Sequence, residues 1–269
     1  KFQEDVWLNV TGGTKLMALA AYEAFVEKDR NIIYCNTKHK HIISLYPDYK
    51  IETLNADLSI PDYLLSYGFA IKGEKDIKEV EKYFPLIEFI NKNNLMNEFV
   101  IFFKEIREKL TDDIPRITML SENKNFVFYK NYDKYTIEYN TTDKNKISID
   151  SFEFRLGDWL EYYTYYNLKK CDVQSLLTGV KIVSQDNTEN EIDVIVLKDF
   201  VLHIYSCKSG NSNNQFDLFQ LETLRNITSG TFGKGYFVVS KKCTKRFLDR
   251  AKELNIRVIN ILNQNENFI

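Results

Sequence analysis

Asn190-Glu191-Ile192-Asp193-Val194-Ile195-Val196, a short turn, and Val201-Leu202-His203-Ile204-Tyr205-Ser206-Cys207-Lys208 form the stretch from which this chain is read. Two β-rich runs joined by so short a link predict a hairpin. Alternate side chains on a strand share a face, so Ser206 and Lys208 point one way and Cys207 the other, and Asp193 on the partner strand can meet the first pair. A carboxylate and an ammonium at a strand end, with another acid delivered by a preceding helix, suit phosphodiester hydrolysis, in which carboxylates hold a divalent metal and a lysine orients or activates the attacking water.

That helix is predicted over 152–163, where aromatic and aliphatic residues recur at helical spacing and Glu161 falls within the run. Asp158, nearly one turn earlier, either assists Glu161 or simply complements the helix dipole. A helix glutamate, then Asp193, then Lys208 after a variable residue resembles the PD-(D/E)XK nuclease superfamily, from about Phe152 to the C-terminus, including Gly230 to Gly235 and a strand over 236–240. That resemblance implies Mg²⁺ or Mn²⁺ as cofactor, catalytic roles for Glu161, Asp193, Ser206, Lys208 and Glu222, and a metal set of Glu161, Asp193, Cys207 and Glu222. The departure is Ser206, where the family usually has Asp or Glu. A hydroxyl is a poor substitute for a carboxylate on a hard cation. Glu222, in the amphipathic run 214–225, is the candidate replacement and otherwise a solvated helix residue.

Upstream, a buried-strand pattern over Val6 to Val10 runs into Thr11-Gly12-Gly13-Thr14-Lys15 and a helix over 16–26. A strand, a glycine turn and a helix N-terminus together make an anion site. Neither the dinucleotide fingerprint nor Walker A spacing is present. Asn9 to Lys15 resembles the signature of CRISPR-associated Rossmann-fold (CARF) sensor domains. The resemblance implies that Thr11, Gly12, Gly13, Thr14 and Lys15 hold a cyclic oligoadenylate, foremost cyclic tetra-adenylate, at a homodimer interface. It also implies that the missing N-terminal half of the sensor precedes residue 1. His39 and His41, with Cys35 nearby, lack a fourth ligand for a metal; His39 or Lys38 is better suited to touching a ligand phosphate, and His203 reads as structural.

The reading is thus an α/β protein: the C-terminal part of a Rossmann-like sensor over 1–70, a connector of helices and a β-hairpin over 71–150 in which no chemistry is legible, and a restriction-endonuclease-like α/β domain over 151–269. With 269 residues, 44% of them hydrophobic, and a net charge of −2, the chain suits one large or two ordinary domains and not a general nucleic-acid coat protein. Four scattered cysteines give neither a zinc spacing nor a disulfide framework. No apolar run spans a bilayer and no signal-peptide pattern opens the chain, so a cytoplasmic protein with no membrane partner is expected. A CARF sensor before a PD-(D/E)XK domain is similar to the ancillary nucleases of type III CRISPR antiviral defence, which implies messenger-activated cleavage of single-stranded RNA or DNA, or nicking of supercoiled DNA. The alternatives are a weakened or inactive messenger-binding protein, a ring nuclease degrading its activator, or a repair or restriction nuclease.

Overall fold

A computed structural model of the chain describes residues 6–110, 114–140, 142–150, 157–210, 213–263 and 266–269. Phe152 to Leu156, the start of the expected helix, lie outside the described residues, as does the side chain of Lys38. The chain divides into two compact units, residues 1–58 and 59–269.

In the first unit, β1 (Leu8–Asn9), α1 (Lys15–Val26) and β2 (Ile32–Asn36) form a β-α-β unit whose strands pair in parallel, Leu8 with Ile32. Strands β3 (His41–Tyr46) and β4 (Lys50–Thr53) extend the sheet antiparallel. Thr14 caps α1 by accepting the Met17 N–H at 3.3 Å, and Gly13 takes a φ of +84°, a turn that glycine adopts without strain. None of the residues of α1 is buried, although Leu16, Met17 and Leu19 lie on it.

The second unit is built on a six-stranded sheet in the order β14-β13-β12-β11-β10-β5. Its strands are β5 (Phe69–Gly73), β10 (Ser175–Ser184), β11 (Glu189–Lys198), β12 (Val201–Lys208), β13 (Lys234–Val239) and β14 (Ile256–Asn260). The expected hairpin is β11 and β12, antiparallel with Val194 opposite Tyr205. Strands β12, β13 and β14 run parallel, the crossovers being α7 (Gln215–Ser229) and α8 (Lys245–Glu253).

Alternation decides what each face meets. Val194, Val196, Tyr205, Cys207, Tyr236 and Val238 pack in one core with Trp159, Leu160 and Tyr163 of α6 (Asp158–Lys169). The opposite face receives α7 and α8, Phe247 of α8 lying 5.3 Å from Phe237 between ring centroids.

The segment read as a connector is part of this body. Residues 59–68, read as the close of the sensor, form a helix α2 (Ile60–Ser66) that falls in the second unit, and Phe69 to Gly73 follow as its edge strand. Helices α3 (Ile77–Glu81), α4 (Phe84–Lys92) and α5 (Met96–Lys109) share the core of α6 through Val80, Ile90 and Phe103. The β-hairpin expected within 71–150 widens to a four-stranded meander, β6 (Arg116–Leu120), β7 (Phe126–Asn131), β8 (Lys134–Tyr139) and β9 (Asn145–Asp150). Phe126 and Phe128 anchor its inner face, whereas β6 and β9 alternate too weakly to stand out in the sequence.

Candidate active site

The ladder between β11 and β12 ends at Val194 opposite Tyr205, one residue before Asp193 and Ser206. Past that point the Asp193 side chain takes the place of a backbone partner, its Oδ2 accepting the Cys207 N–H at 2.6 Å. On its other side the β10 ladder skips Gly179, which adopts a φ of +57°, and the Thr178 hydroxyl donates to the Asp193 carbonyl at 2.8 Å. Asp193 thus sits where both neighbouring ladders are interrupted, its carbonyl met by the Thr178 hydroxyl and its carboxylate meeting the Cys207 N–H.

Asp193, Ser206 and Lys208 line a cavity of about 520 Å³ against α7, where Phe216, Gln220 and Ile227 form the facing wall. Glu161 comes from the first turn of α6 and stands close to Asp193. Burial raises the Glu161 carboxyl above its ordinary range, and the Asp193 charge pushes it further, while Lys75 opposes both. Burial also raises Asp193, against the pull of the Cys207 N–H and Lys208. Two carboxylates delivered by different elements and repelling one another are a configuration in which ionisation costs stability and serves chemistry.

Three expectations require correction. Glu222 is not among the residues lining this cavity; it shares the helix stripe of Leu218 and Arg225, both buried, and turns away from the stripe of Gln220, Leu224 and Ile227 that faces the opening. Cys207 points to the opposite face, where its sulfur meets the Thr164 hydroxyl at 3.4 Å, and burial holds the thiol well above its usual range, so no thiolate ligand is offered. In the sensor loop, the Thr11 hydroxyl is already engaged, donating to Asn9 Oδ1 and accepting the Cys35 N–H, each at 2.6 Å. The exposed remainder of that loop is Gly12, Gly13, Thr14 and Lys15. His39 and His41 stack with centroids 6.4 Å apart, and Cys35 lies against Asn9 rather than beside them. His203 is structural, its Nδ1 3.0 Å from the Tyr236 hydroxyl.

Sequence reasoning missed Lys75. Its ammonium lies 2.8 Å from Asp158 Oδ2 and 2.8 Å from Glu161 Oε2, and 5.0 Å from the Tyr162 ring centroid. Burial alone would lower the lysine, but the Glu161 and Asp158 carboxylates outweigh it and hold the ammonium above its ordinary range. Arg107 of α5 also reaches in, donating to the Ser209 hydroxyl just beyond Lys208 at 2.8 Å. Neither residue lies in a motif; an isolated basic residue carries no signal until the fold places it.

The donor set does not fit a preassembled metal cage. Among the described residues no group of three or more His, Cys, Asp or Glu side chains is placed to hold an ion. Asp158 and Glu161 are bridged by Lys75, and Asp193 is committed to Cys207.

A sheet opened at its third strand from one edge, with acids from a helix and a strand and a lysine beside them, defines a restriction-endonuclease-like domain. Two family models match the chain: residues 1–63 match the Card1 CARF domain, and residues 150–266 match the Card1-like endonuclease domain. The chain is thus similar to a CARF domain over its first part and to an endonuclease domain over its last. Among solved structures, Can2 from Sulfobacillus thermosulfidooxidans in complex with cyclic tetra-adenylate is similar at 24% identity and a TM-score of 0.63, covering 95% of this chain and 73% of that one. Protein VC1899 from Vibrio cholerae is similar at 18% identity and a TM-score of 0.66, covering 96% and 72%. No curated protein matches the chain. Among the described residues, no helix is long and apolar enough to cross a membrane.

Proposed function

We propose that this chain is a cyclic-oligoadenylate-switched endonuclease, acting in cytoplasmic antiviral defence as a homodimer, with cyclic tetra-adenylate as messenger and single-stranded nucleic acid as substrate. The observation that carries the reading is the convergence of helix-borne Glu161 and strand-borne Asp193 at the open end of the β11–β12 ladder, beside a cavity wall that bears Lys208. Lys208 offers a countercharge to the scissile phosphate, and the two carboxylates stand ready to take a proton from attacking water.

The preference for single strands is supported by Phe216, 62% exposed and lining the same cavity, because an unpaired base can stack on an aromatic ring. The messenger is supported by the CARF match over 1–63 and by the turn Gly12 to Lys15 at the start of α1, where backbone N–H groups and a lysine suit an anion. Cyclic tetra-adenylate is the ligand of the similar Can2 structure.

The direct test adds cyclic tetra-adenylate to the full chain with labelled single-stranded RNA and DNA, with Mg²⁺, Mn²⁺ or chelator. The reading expects a messenger-dependent cut and a rise in melting temperature with messenger concentration; an unshifted melting curve contradicts it.

Ser206 favours a second reading, a protein that binds the messenger and cuts poorly. A melting shift without cleavage, followed by cleavage in Ser206→Glu, supports that one.

A further inference from the structure

The geometry points to Lys75 as a positioning residue of the nuclease site: its ammonium fills the place between Asp158 and Glu161 and keeps a divalent ion out until the lysine withdraws. This rests on reading the site as a nuclease and adds what controls its charge. Lys75 is not a passing surface residue. Its side chain is 21% exposed, and the Asp158 and Glu161 side chains are each 13% exposed. Its backbone N–H donates to the Thr178 carbonyl at 3.1 Å, which fixes where the side chain sets out.

The route of that side chain is cut into the sheet. It crosses β10 at Gly179, where a Cβ would lie 2.5, 2.7 and 2.9 Å from Lys75 Cγ, Cδ and Cε. Gly179 is also the residue at which the β10–β11 ladder is interrupted, opposite Asp193. One glycine therefore both opens the strand beside the catalytic aspartate and clears a channel for the lysine. A lysine serving only as a surface ion pair needs neither.

The place of Lys75 in the chain gives the contact a means of release. The break between the compact units falls at Leu58/Ser59, and Lys75 follows two residues after the edge strand β5 that begins the second unit's sheet. Among the strands, β5 pairs with β10 alone, with a register irregularity between Lys181 and Ile182, so Lys75 follows an edge strand of the sheet. Lys75 itself lies between β5 and α3 and belongs to neither, and its withdrawal is a movement of that short segment.

The experiment measures Mn²⁺ binding by electron paramagnetic resonance on the full chain, with neither messenger nor nucleic acid. Lys75→Met keeps the stem over Gly179 and removes the charge; Lys75→Arg keeps the charge. The expected result is Mn²⁺ binding at least tenfold tighter in Lys75→Met than in the wild type or Lys75→Arg, with the gain abolished in Lys75→Met/Glu161→Gln. Equal affinity in wild type and Lys75→Met, or a gain that survives Glu161→Gln, overturns the proposal. Because no cleavage is read, loss of the nuclease reading and loss of this one are separate outcomes. If Lys75→Met does not fold, Gly179→Ala, which displaces the stem from above, is expected to give the same tightening, and its failure to do so counts equally against the proposal.

Discussion

Gly179→Ala is the change from which most is learned about how the site is held. An alanine at a φ of +57° costs about 1–2 kcal/mol by itself, because its Cβ crowds the following carbonyl. The new carbon also lies 2.5 Å from Lys75 Cγ, so the stem must move and at least one of the two 2.8 Å contacts to Asp158 and Glu161 is lost. A charge-assisted bond contributes ~1.5–3 kcal/mol, which brings the whole change to about 3–4 kcal/mol. A double-mutant cycle with Lys75→Ala separates the parts, since without the long side chain only the backbone cost remains. Urea unfolding followed by the fluorescence of Trp159, with Trp7→Phe as background, reports on the unit concerned. The two changes are expected to be non-additive by ~1.5–3 kcal/mol. Strict additivity refutes the claim that Gly179 exists for the lysine's path.

Asp193→Asn is expected to abolish cleavage while raising the melting temperature at pH 8. Burial raises the Asp193 pKa above its unfolded value, so ionisation in the fold costs stability, and this cost sets in as pH rises through the carboxylate range. His203 has the opposite dependence. Burial lowers it to about 4 against about 6.5 unfolded, so stability is lost as pH falls through that window, by up to ~3 kcal/mol, and His203→Gln is expected to flatten the acid limb of a pH–stability curve. Lys15→Ala is expected to weaken messenger binding roughly ten- to hundredfold by calorimetry. Phe216→Ala is expected to weaken single-strand binding while leaving messenger binding unchanged, as read by fluorescence anisotropy.

The strands that carry chemistry were legible because buried hairpins write themselves as runs of Val, Ile and Leu: β12 begins and ends where the sequence placed it. Asp193, Ser206 and Lys208 were legible for the same reason, since a period of two fixes which side chains share a wall. Glu222 was misjudged because a helix has several faces and one amphipathic pattern does not say which of them the sheet takes. Leu218 and Arg225, both buried, set the rotation of α7, and Glu222 goes with them. Lys75 was illegible in principle, because its role depends on a positive φ at Gly179, about a hundred residues away in sequence, and on the edge pairing of β5 with β10. Thr11 shows the same limit at short range: a hydroxyl that looks available in a glycine turn is taken by Asn9 and Cys35 once the strands pair.

The central claim is that messenger-switched cleavage takes place at the open end of the β11–β12 ladder. Its most direct measurement compares the rate of single-strand cleavage at saturating cyclic tetra-adenylate for the wild type, Asp193→Asn and Lys208→Ala, with messenger binding followed in parallel by thermal shift. The account predicts cleavage at least a hundredfold slower in both variants with the messenger-induced shift intact; cleavage at the wild-type rate in either one contradicts it.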